Sequence, residues 1–481
     1  MLLKLSKFFL YAAPFCIAIV MSSTFFPFIG GKYYFFRFAV EASLLFFVLW
    51  WAFEAAPGEA AQRFRGIISK PLFVAISLFV LVFLLATIFA DNPHGAFWSN
   101  YERGDGGFQM IHYYVFFVLL LVHLRDWEGW RKLFSVSLIA AALMILYGFF
   151  AYLAILNPSL FCYEGSGSPP NRECVSFISP YQGQGEATPK TLWGLLTKER
   201  FHGSLGNPAY VAPYLMFSSF YLLYLWIRDG RTNGKLRTVS YAALLAVYAL
   251  FFLFSQTRGA FLGIGAMVLA FFAYLAFSRP RWRVRTLGAL AVLILIAGLL
   301  VANRKSDFVK NLPGGRLFDI SFSDQTVQTR LWTWGSAWRG FLERPILGWG
   351  PENFSAVFDK HFDPRHYVPG KNTETWFDRA HSVIFDYLAE TGLLGLLSYL
   401  GMFAVFYREF FRKAPESPEF QVRKPDPGYR ATALQALVFS LPVGYLVQGL
   451  ALFDVLPIYM NLFLFLAFAH YVFYEPTPAK S

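Results

Sequence analysis

The chain has 481 residues, of which 56% are hydrophobic, 20% aromatic and only 15% charged. Soluble globular proteins carry about 25% charged residues, so this composition excludes an ordinary soluble protein and indicates the membrane class. The net charge of +12 comes largely from turns between apolar segments, so it indicates membrane topology and not a nucleic-acid partner.

Apolar runs recur along the whole chain. A transmembrane helix needs about 20 predominantly apolar residues, and by that rule the sequence predicts about twelve spans in a single integral membrane domain, 1–481. The fold is therefore expected to be all-α and polytopic. The predicted spans are Phe8–Ile29, Tyr33–Phe53, Pro71–Ala90, Phe108–His123, Leu133–Leu156, Pro208–Ile227, Val239–Ser255, Gly259–Phe277, Thr286–Ala302, Val383–Tyr407, Thr432–Leu452 and Leu456–Tyr474.

Basic residues concentrate at alternate turns, from 63–70 to 408–430, whereas the short turns between them carry few. By the positive-inside rule this pattern places the N-terminus in the cytoplasm. Two long segments, 157–207 and 303–381, are then extracytoplasmic loops. The first is rich in Gly, Pro and Ser, as loops are.

The loop 157–207 contains two cysteines, Cys162 and Cys174. An extracytoplasmic compartment favours a disulfide between them. The spacing alone is equally compatible with two unpaired thiols.

Two arginines lie at the predicted outer ends of spans. Arg200 stands in ERFHGSLGNPAY, just before a span that begins at Pro208, and Arg258 stands alone between two spans in SQTRGAFLG. A guanidinium at the bilayer centre costs roughly 2.5–3.5 kcal/mol, so Arg258 is expected at the turn, facing a cavity. The planar guanidinium suits a phosphate ligand. The alternative is that both arginines only extend their charged groups to the membrane interface and bind no ligand.

The loop 303–381 is predicted to contain an amphipathic helix. Leu331, Trp334, Trp338 and Phe341 recur at helical spacing in TRLWTWGSAWRGFLERP. Such a helix can lie on the membrane interface. It can equally pack beneath the loop.

His381 opens the next span, in FDRAHSVIFDYLAETG. The helix dipole there disfavours a positive charge, so we expect a neutral imidazole that can serve as a general base. A hydrogen-bonded interfacial histidine is the alternative. Asp386 and Glu390 lie one turn apart on one face. Carboxylates inside a span are functional candidates, although pairing with Arg37 or Arg258 would give them a structural role.

Four stretches, in this order, resemble the bacterial O-antigen ligase and polymerase superfamily: RFHGSLGNPAY, SQTRGAFLG, RLWTWGSAWRGFLERPILGWGPENF and AHSVIFDYLAETGLLG. They cover roughly 200–400, which we define as the ligase-like core region. The stretch FWSNYERGDGGFQ, which contains Arg103, resembles a loop of some members. The superfamily commonly has His-Asn where this chain has His381 and Ser382.

The resemblance implies a type-C glycosyltransferase-like fold. Its members transfer a glycan from a polyprenyl-diphosphate carrier to an acceptor hydroxyl on the extracytoplasmic face of the cytoplasmic membrane. Arginines matching Arg200 and Arg258 are implied to bind the diphosphate, and a histidine matching His381 to activate the hydroxyl. Supporting residues are expected at Arg103, Arg330, Arg379 and Glu390.

The predicted reaction is inverting and needs no cofactor or metal. Fixed cations make diphosphate a good leaving group, and the chain has no G-x-x-x-x-G-K-[ST] loop for ATP. The spacing of Asp359, His361, Asp363 and His366 matches no strong metal site. The expected partners are the lipid-linked donor, membrane lipids, and a lipid A core, glycan or protein acceptor, with no nucleic acid.

A transporter is the main alternative from another class, because about twelve spans are common among transporters. The sequence shows no repeated halves, which disfavours it. Within the enzyme class, ligation to lipid A core, polymerisation of repeat units and O-glycosylation of a protein stay open. These activities share a donor, and their acceptor specificity resides in variable loops.

Overall fold

The computed structural model describes residues 1–100, 103–157, 162–164, 174–176, 191–230, 234–310, 312, 314–318, 325–367, 369–370, 375–420 and 429–474. The side chains of 162–164, 174–176, 198 and 316 are outside this description. The predicted disulfide between Cys162 and Cys174 therefore lies outside the described residues.

Within the described residues the fold is all-α apart from one small hairpin. The helices are α1 Leu2–Ala12, α2 Gly30–Phe53, α3 Glu59–Ile68, α4 Pro71–Ile88, α5 Pro93–Trp98, α6 Gly107–His123, α7 Trp127–Leu156, α8 Leu192–Lys198, α9 Pro208–Arg228, α10 Lys235–Phe254, α11 Arg258–Ser278, α12 Arg283–Ala302, α13 Asp307–Lys310, α14 Gln325–Glu343, α15 Phe354–Lys360, α16 Val383–Lys413, α17 Tyr429–Gly449 and α18 Leu456–Tyr474. The strands β1 Cys162–Glu164 and β2 Cys174–Ser176 pair antiparallel, with Glu164 opposite Cys174.

Ten helices of the described chain are long and apolar enough to cross a membrane, which confirms an all-α polytopic fold. They are α2, α4, α7, α9, α10, α11, α12, α16, α17 and α18. The predicted fourth span is the shorter helix α6. The prediction of one continuous first span over 8–29 was wrong. Helix α1 ends at Ala12, and a 3-10 turn containing Pro14 leads into an extended Ile19, since proline removes a backbone donor.

Because successive spans alternate in direction, helices α2, α6, α9, α11, α16 and α18 begin at one end of the bundle, which we call the rim. Hydrogen bonds tie these helix starts together. Thr257 Oγ1, before α11, donates to the Pro208 carbonyl at 3.0 Å, and the Val383 N–H donates to the Leu452 carbonyl at 3.1 Å. Asn207 caps α9, because its side-chain oxygen accepts from the Ala209 N–H at 2.8 Å.

A close contact between α11 and α17 fixes the position of the helix that begins at Arg258. A Cβ at Gly263 of α11 would come within 2.7 Å of the Gly444 carbonyl on α17. Lipid tails provide no hydrophobic drive for helix association, so small residues that let backbones approach are a main source of packing. This contact holds α11 against the second half of α17.

Helix α16 is broken at Gly392, whose φ of 65° is left-handed. The segment 345–350 pairs with the backbone groups that the break exposes. Its carbonyls at 345 and 346 accept from the N–H groups of 393 and 394 at 2.8 and 3.2 Å, and its N–H groups at 349 and 350 donate to the carbonyls of 389 and 390 at 2.9 and 2.7 Å. Exposed backbone groups inside a membrane protein must find partners, so the break and the segment stabilise each other.

We expect Gly392→Ala to lower the free energy of unfolding by about 3 kcal/mol, because a left-handed alanine is strained and its Cβ would lie 2.4 Å from the Ile346 carbonyl. Thermal unfolding of the purified protein in detergent measures the change. Gly401→Ala, in the same helix with open space around its Cβ, is the matched control. It should be neutral or stabilising by up to about 1 kcal/mol; equal effects at both positions would contradict the account.

The amphipathic helix predicted in 303–381 is α14, but its buried face differs from the predicted apolar stripe. Its buried residues are Thr333, Ser336, Ala337 and Gly340. A Cβ at Gly340 would come within 2.3 Å of Val357 on α15, so close packing selects small residues on this face. Leu331 and Trp338 are each 47% exposed, while Trp334 packs towards the start of α16.

Candidate active site

His381 lies in a tight turn before α16, with a φ of 56°. A left-handed conformation costs a non-glycine residue of order 1–3 kcal/mol unless its surroundings hold it. Both backbone groups of the preceding Ala380 are held. Its N–H donates to Asp386 Oδ1 at 2.6 Å, and its carbonyl accepts from Trp334 Nε1 at 2.9 Å. Helices α14 and α16 therefore fix the turn from two sides.

Arg379 anchors the same turn through buried ion pairs. Its Nη1 donates to both oxygens of Glu390 at 2.9 Å, and its Nη2 pairs with Glu352. The Glu352 N–H also donates to Glu390 at 3.1 Å. Glu390 therefore holds the turn that carries His381.

The sequence left open a structural pairing of Asp386 and Glu390 with Arg37 or Arg258, and the structure pairs Glu390 with Arg379. Arg37 instead donates to the Gly104 carbonyl at 2.8 Å, because the loop before α6 folds over its helix. Arg379 is only eleven residues before Glu390, and the left-handed turn at His381 brings the two side chains together.

The imidazole of His381 is oriented by the backbone. Its Nδ1 is 3.1 Å from the Arg379 carbonyl, so the neutral tautomer that donates from Nδ1 leaves the Nε2 lone pair available to accept a proton. The ring edge contacts Phe377 and Phe453, with centroids 5.5 and 5.0 Å away. These contacts restrict the direction of Nε2.

The surroundings keep His381 neutral. Burial, together with the positive charges of Arg330 and Arg103, lowers the pKa of His381 to about 4. The imidazole is therefore neutral at pH 7, as the sequence predicted, although burial rather than the helix dipole is the first cause. Ser382 makes no capping bond.

Arg103 extends the site towards α9. Its guanidinium binds Asp378 through two bonds of 2.7 and 2.9 Å and donates to the Tyr210 hydroxyl at 3.1 Å. It also lies over the ring of Phe453, 4.8 Å from the centroid. Phe453 contacts both Arg103 and His381, so the loop FWSNYERGDGGFQ is linked to the imidazole through this ring.

Arg200, one of the two arginines predicted to bind diphosphate, contacts the segment that leads into Arg258. Arg200 donates to the Ser255 carbonyl and to Thr257 Oγ1, each at 3.3 Å. Thr257 is the residue before Arg258, the first residue of α11. Arg200 therefore lies beside the start of the helix that carries Arg258.

The segment after α17 joins this pair to His381. A Cβ at Gly259 would lie 3.3 Å from Leu452, and the Leu452 carbonyl accepts from the Val383 N–H. Arg258 directly precedes Gly259, and His381 lies two residues before Val383. The structure thus brings the predicted cations and the predicted base to the same end of the bundle.

Of the supporting residues, Arg330 is on α14, one turn before Trp334, and acts electrostatically on His381. Sequence reasoning missed four others. They are Tyr210, Glu352, Asp378 and Phe453. Phe453 gave no signal, because the chain has 56 phenylalanines.

Trp334 is a positioning residue for the turn of His381. Trp334→Phe removes the donor to the Ala380 carbonyl while keeping a ring to stack on Phe385, 5.0 Å away. We expect kcat for the reaction proposed below to fall about tenfold, which corresponds to one lost hydrogen bond, with both KM values unchanged. Trp338→Phe, on the exposed face of α14, should leave kcat unaltered. A fall in kcat for both variants would contradict this role.

A family model matches part of the chain. Residues 241–400, a range that includes Arg258, Gly392 and His381, match the family model described as O-antigen ligase. Arg200 and Arg103 lie before the matched range. No curated protein matches the chain. The chain is a multi-pass membrane protein, and its segment 241–400 is similar to the O-antigen ligase family.

Proposed function

We propose that this protein transfers a glycan from a polyprenyl-diphosphate carrier to an acceptor hydroxyl, with the rim facing the extracytoplasmic side of the cytoplasmic membrane. One observation carries the proposal: the oriented imidazole of His381 lies at the same end of the helical bundle as Arg200 and the start of α11 at Arg258, and residues 241–400 match the O-antigen ligase family model. The basic residues at the opposite turns support the orientation.

Arg200 and Arg258 bind the diphosphate of the donor in this scheme. A guanidinium donates two parallel hydrogen bonds to phosphate oxygens and keeps its charge at any physiological pH. Negative charge develops on the bridging oxygen as the glycosidic bond lengthens. Fixed cations at that point lower the barrier because they need no rearrangement.

His381 acts on the acceptor. Its Nε2 takes the proton of the acceptor hydroxyl while that oxygen forms a bond to the anomeric carbon. The bond between this carbon and the diphosphate oxygen breaks, and the carrier diphosphate leaves with the electron pair. Attack opposite the leaving group inverts the configuration. The imidazolium then releases its proton to solvent.

The purified full-length protein, supplied with lipid-diphosphate glycan and candidate acceptors, tests the proposal. We expect mass spectrometry to show glycan on a lipid A core, on a lengthened glycan or on a protein, and NMR of the new linkage to show inversion. The identity of the product chooses among ligase, polymerase and protein glycosylation. Intact donor with every acceptor would contradict the proposal.

The pH profile gives a separate prediction. Because the pKa of His381 is lowered to about 4, the neutral base persists as pH falls and is lost only through pH 4. We expect kcat/KM to stay level from about pH 8 to 5 and to fall below about 4, whereas an unperturbed histidine titrates near 6.5.

Arg330→Gln removes a positive charge near the imidazole, so this acid limb should move to higher pH. Arg339→Gln, on another face of α14 and bonded to the His361 carbonyl, should not move it. An acid limb at 6.5 in the unmodified protein would contradict the assignment of His381.

A further inference from the structure

Helix α14 presents large apolar side chains outward. Leu331 and Trp338 are each 47% exposed, and Leu342 is 59% exposed. Because an α-helix has about 3.6 residues per turn, these three side chains lie within about 40° of one another around the helix axis. We call them the outer stripe.

The opposite side of α14 faces the protein. Its buried residues lie about half a turn away from the outer stripe, and all of them are small: Thr333, Ser336, Ala337 and Gly340. In a helix at the surface of a soluble protein, the large apolar residues face the core and the polar residues face water. Helix α14 has the reverse arrangement, so its most apolar face points away from the protein.

The first part of α16, residues 383–391, does not continue the direction of the rest of that helix. The rings of Tyr387 and Tyr399 are stacked, with centroids 4.5 Å apart. A straight helix would separate these two positions by about 18 Å. The break at Gly392 therefore turns the first part away from the second part, which packs along the membrane span α4.

Both ends of this first part are held at the rim. At its start, the Val383 N–H donates to the Leu452 carbonyl, after α17, at 3.1 Å. Near its end, the Ala389 carbonyl accepts from the Trp349 N–H at 2.9 Å, and the Trp349 carbonyl accepts from the Asp91 N–H, after α4, at 2.8 Å. The first part of α16 therefore runs across the rim.

Helix α14 packs along this part of α16. The Trp334 ring stacks on Phe385, with centroids 5.0 Å apart. At the other end, the Pro345 carbonyl, just after α14, accepts from the Leu393 N–H at 2.8 Å. The second half of α14 is thus fixed at both ends beside 385–393, and it also runs across the rim.

The outer stripe continues into apolar surface that lipid must cover. Ile346 is exposed, four residues after Leu342, and its carbonyl accepts from the N–H of Leu394, which is exposed on the span α16. Ile88 and Phe89 are exposed at the end of the span α4, to which Arg344 is tied through Asp91 at 2.6 Å. Contiguous exposed apolar surface marks a protein or membrane contact. Lipid that covers α4 and α16 reaches the stripe without any further partner.

We propose that α14 lies along the membrane interface at the rim, with the outer stripe in contact with lipid acyl chains and the small side chains against the protein. Tryptophan is typical of this depth. The inference goes beyond the proposed function, because it does not depend on glycan transfer. Its consequence is that the bilayer holds the helix whose Trp334 fixes the turn of His381.

Nitroxide labels on the full-length protein in phosphatidylcholine nanodiscs test the inference. Cys162→Ser and Cys174→Ser remove the thiols of the loop 157–207, and Cys16 is retained because it is fully buried. One label is then attached at a time, through Leu331→Cys, Trp338→Cys or Leu342→Cys. Power-saturation EPR compares collisions of each label with oxygen, which concentrates in lipid, and with a nickel chelate, which stays in water.

Two further positions calibrate the measurement. Leu397→Cys, exposed on the span α16, gives the lipid reference, and Arg365→Cys, exposed in the turn after α15, gives the water reference. We expect all three stripe labels to behave as the Leu397 label does, at depths of about 5–10 Å below the headgroup boundary. Their depths should differ by much less than the ~16 Å that separates Leu331 from Leu342 along the helix axis.

Three results would overturn the inference. Stripe labels that collide mainly with the nickel chelate would place the stripe in water. Labels shielded from both reagents would show that protein covers it, either a second copy or another segment of this chain. A depth difference near 16 Å would mean that α14 crosses the interface.

Thermal unfolding of each labelled variant shows whether it is folded, and two folded stripe variants are sufficient for the test. Because no turnover is measured, the outcome is independent of the transfer assay. Absence of transfer would overturn the proposed function and leave the position of α14 unaffected.

Discussion

Replacing His381 with alanine is expected to lower kcat by about 10²–10⁴, the range that a positioned general base contributes. The acceptor hydroxyl would then have to lose its proton to water, although the donor would still be held by Arg200 and Arg258. Turnover of lipid-linked donor measures the loss. Equilibrium binding of a fluorescent donor should give an unchanged dissociation constant.

His361→Ala is the matched control, because His361 lies after α15 and pairs with Glu343, away from the turn of His381. It should keep full turnover. A His381→Ala protein that retains more than a tenth of the rate would exclude this imidazole as the base. Loss of donor binding together with turnover would indicate a structural role instead.

Replacing Arg258 with alanine should lower kcat/KM for the donor by about 10²–10³, as removal of one fixed donor to a developing oxyanion does. Arg200→Ala should have a similar effect, because its side chain lies beside the start of α11. The pH profile of the residual activity should not change. Steady-state kinetics with varied donor concentration measure both variants.

Lysine at either position should restore part of the activity, because it keeps the charge but loses the two-pronged geometry. Arg339→Ala on α14 removes an arginine that only bonds a carbonyl and should be neutral. If the lysine variants were fully active, bidentate diphosphate binding would be wrong. If Arg258→Ala changed only the acceptor KM, Arg258 would belong to the acceptor site.

The helices could be predicted from the sequence because lipid contact demands uninterrupted apolar runs. Leu456–Tyr474 has the predicted bounds, and Arg258 begins α11 because a guanidinium is costly deeper in the membrane. The first span failed because Pro14 and the chain after it depart from helix within an apolar run. Hydropathy detects apolar sequence but does not detect such a departure.

The position of His381, the proposed base, could be predicted from the start of α16, but the contacts that hold its turn could not. The left-handed φ of His381 depends on Trp334 and Asp386, which lie on different helices. The partner of Glu390 follows from that turn, so no spacing rule identifies Arg379. Phe453 reaches the imidazole only because α18 packs beside α16.

The most direct test of the central claim is a cryo-EM map of the full-length protein in nanodiscs with a non-hydrolysable lipid-diphosphate glycan. We predict that the diphosphate lies within hydrogen-bond distance of both Arg200 and Arg258, with the anomeric carbon facing His381 Nε2. Diphosphate density at the opposite end of the bundle, or bound to neither arginine, would contradict the account.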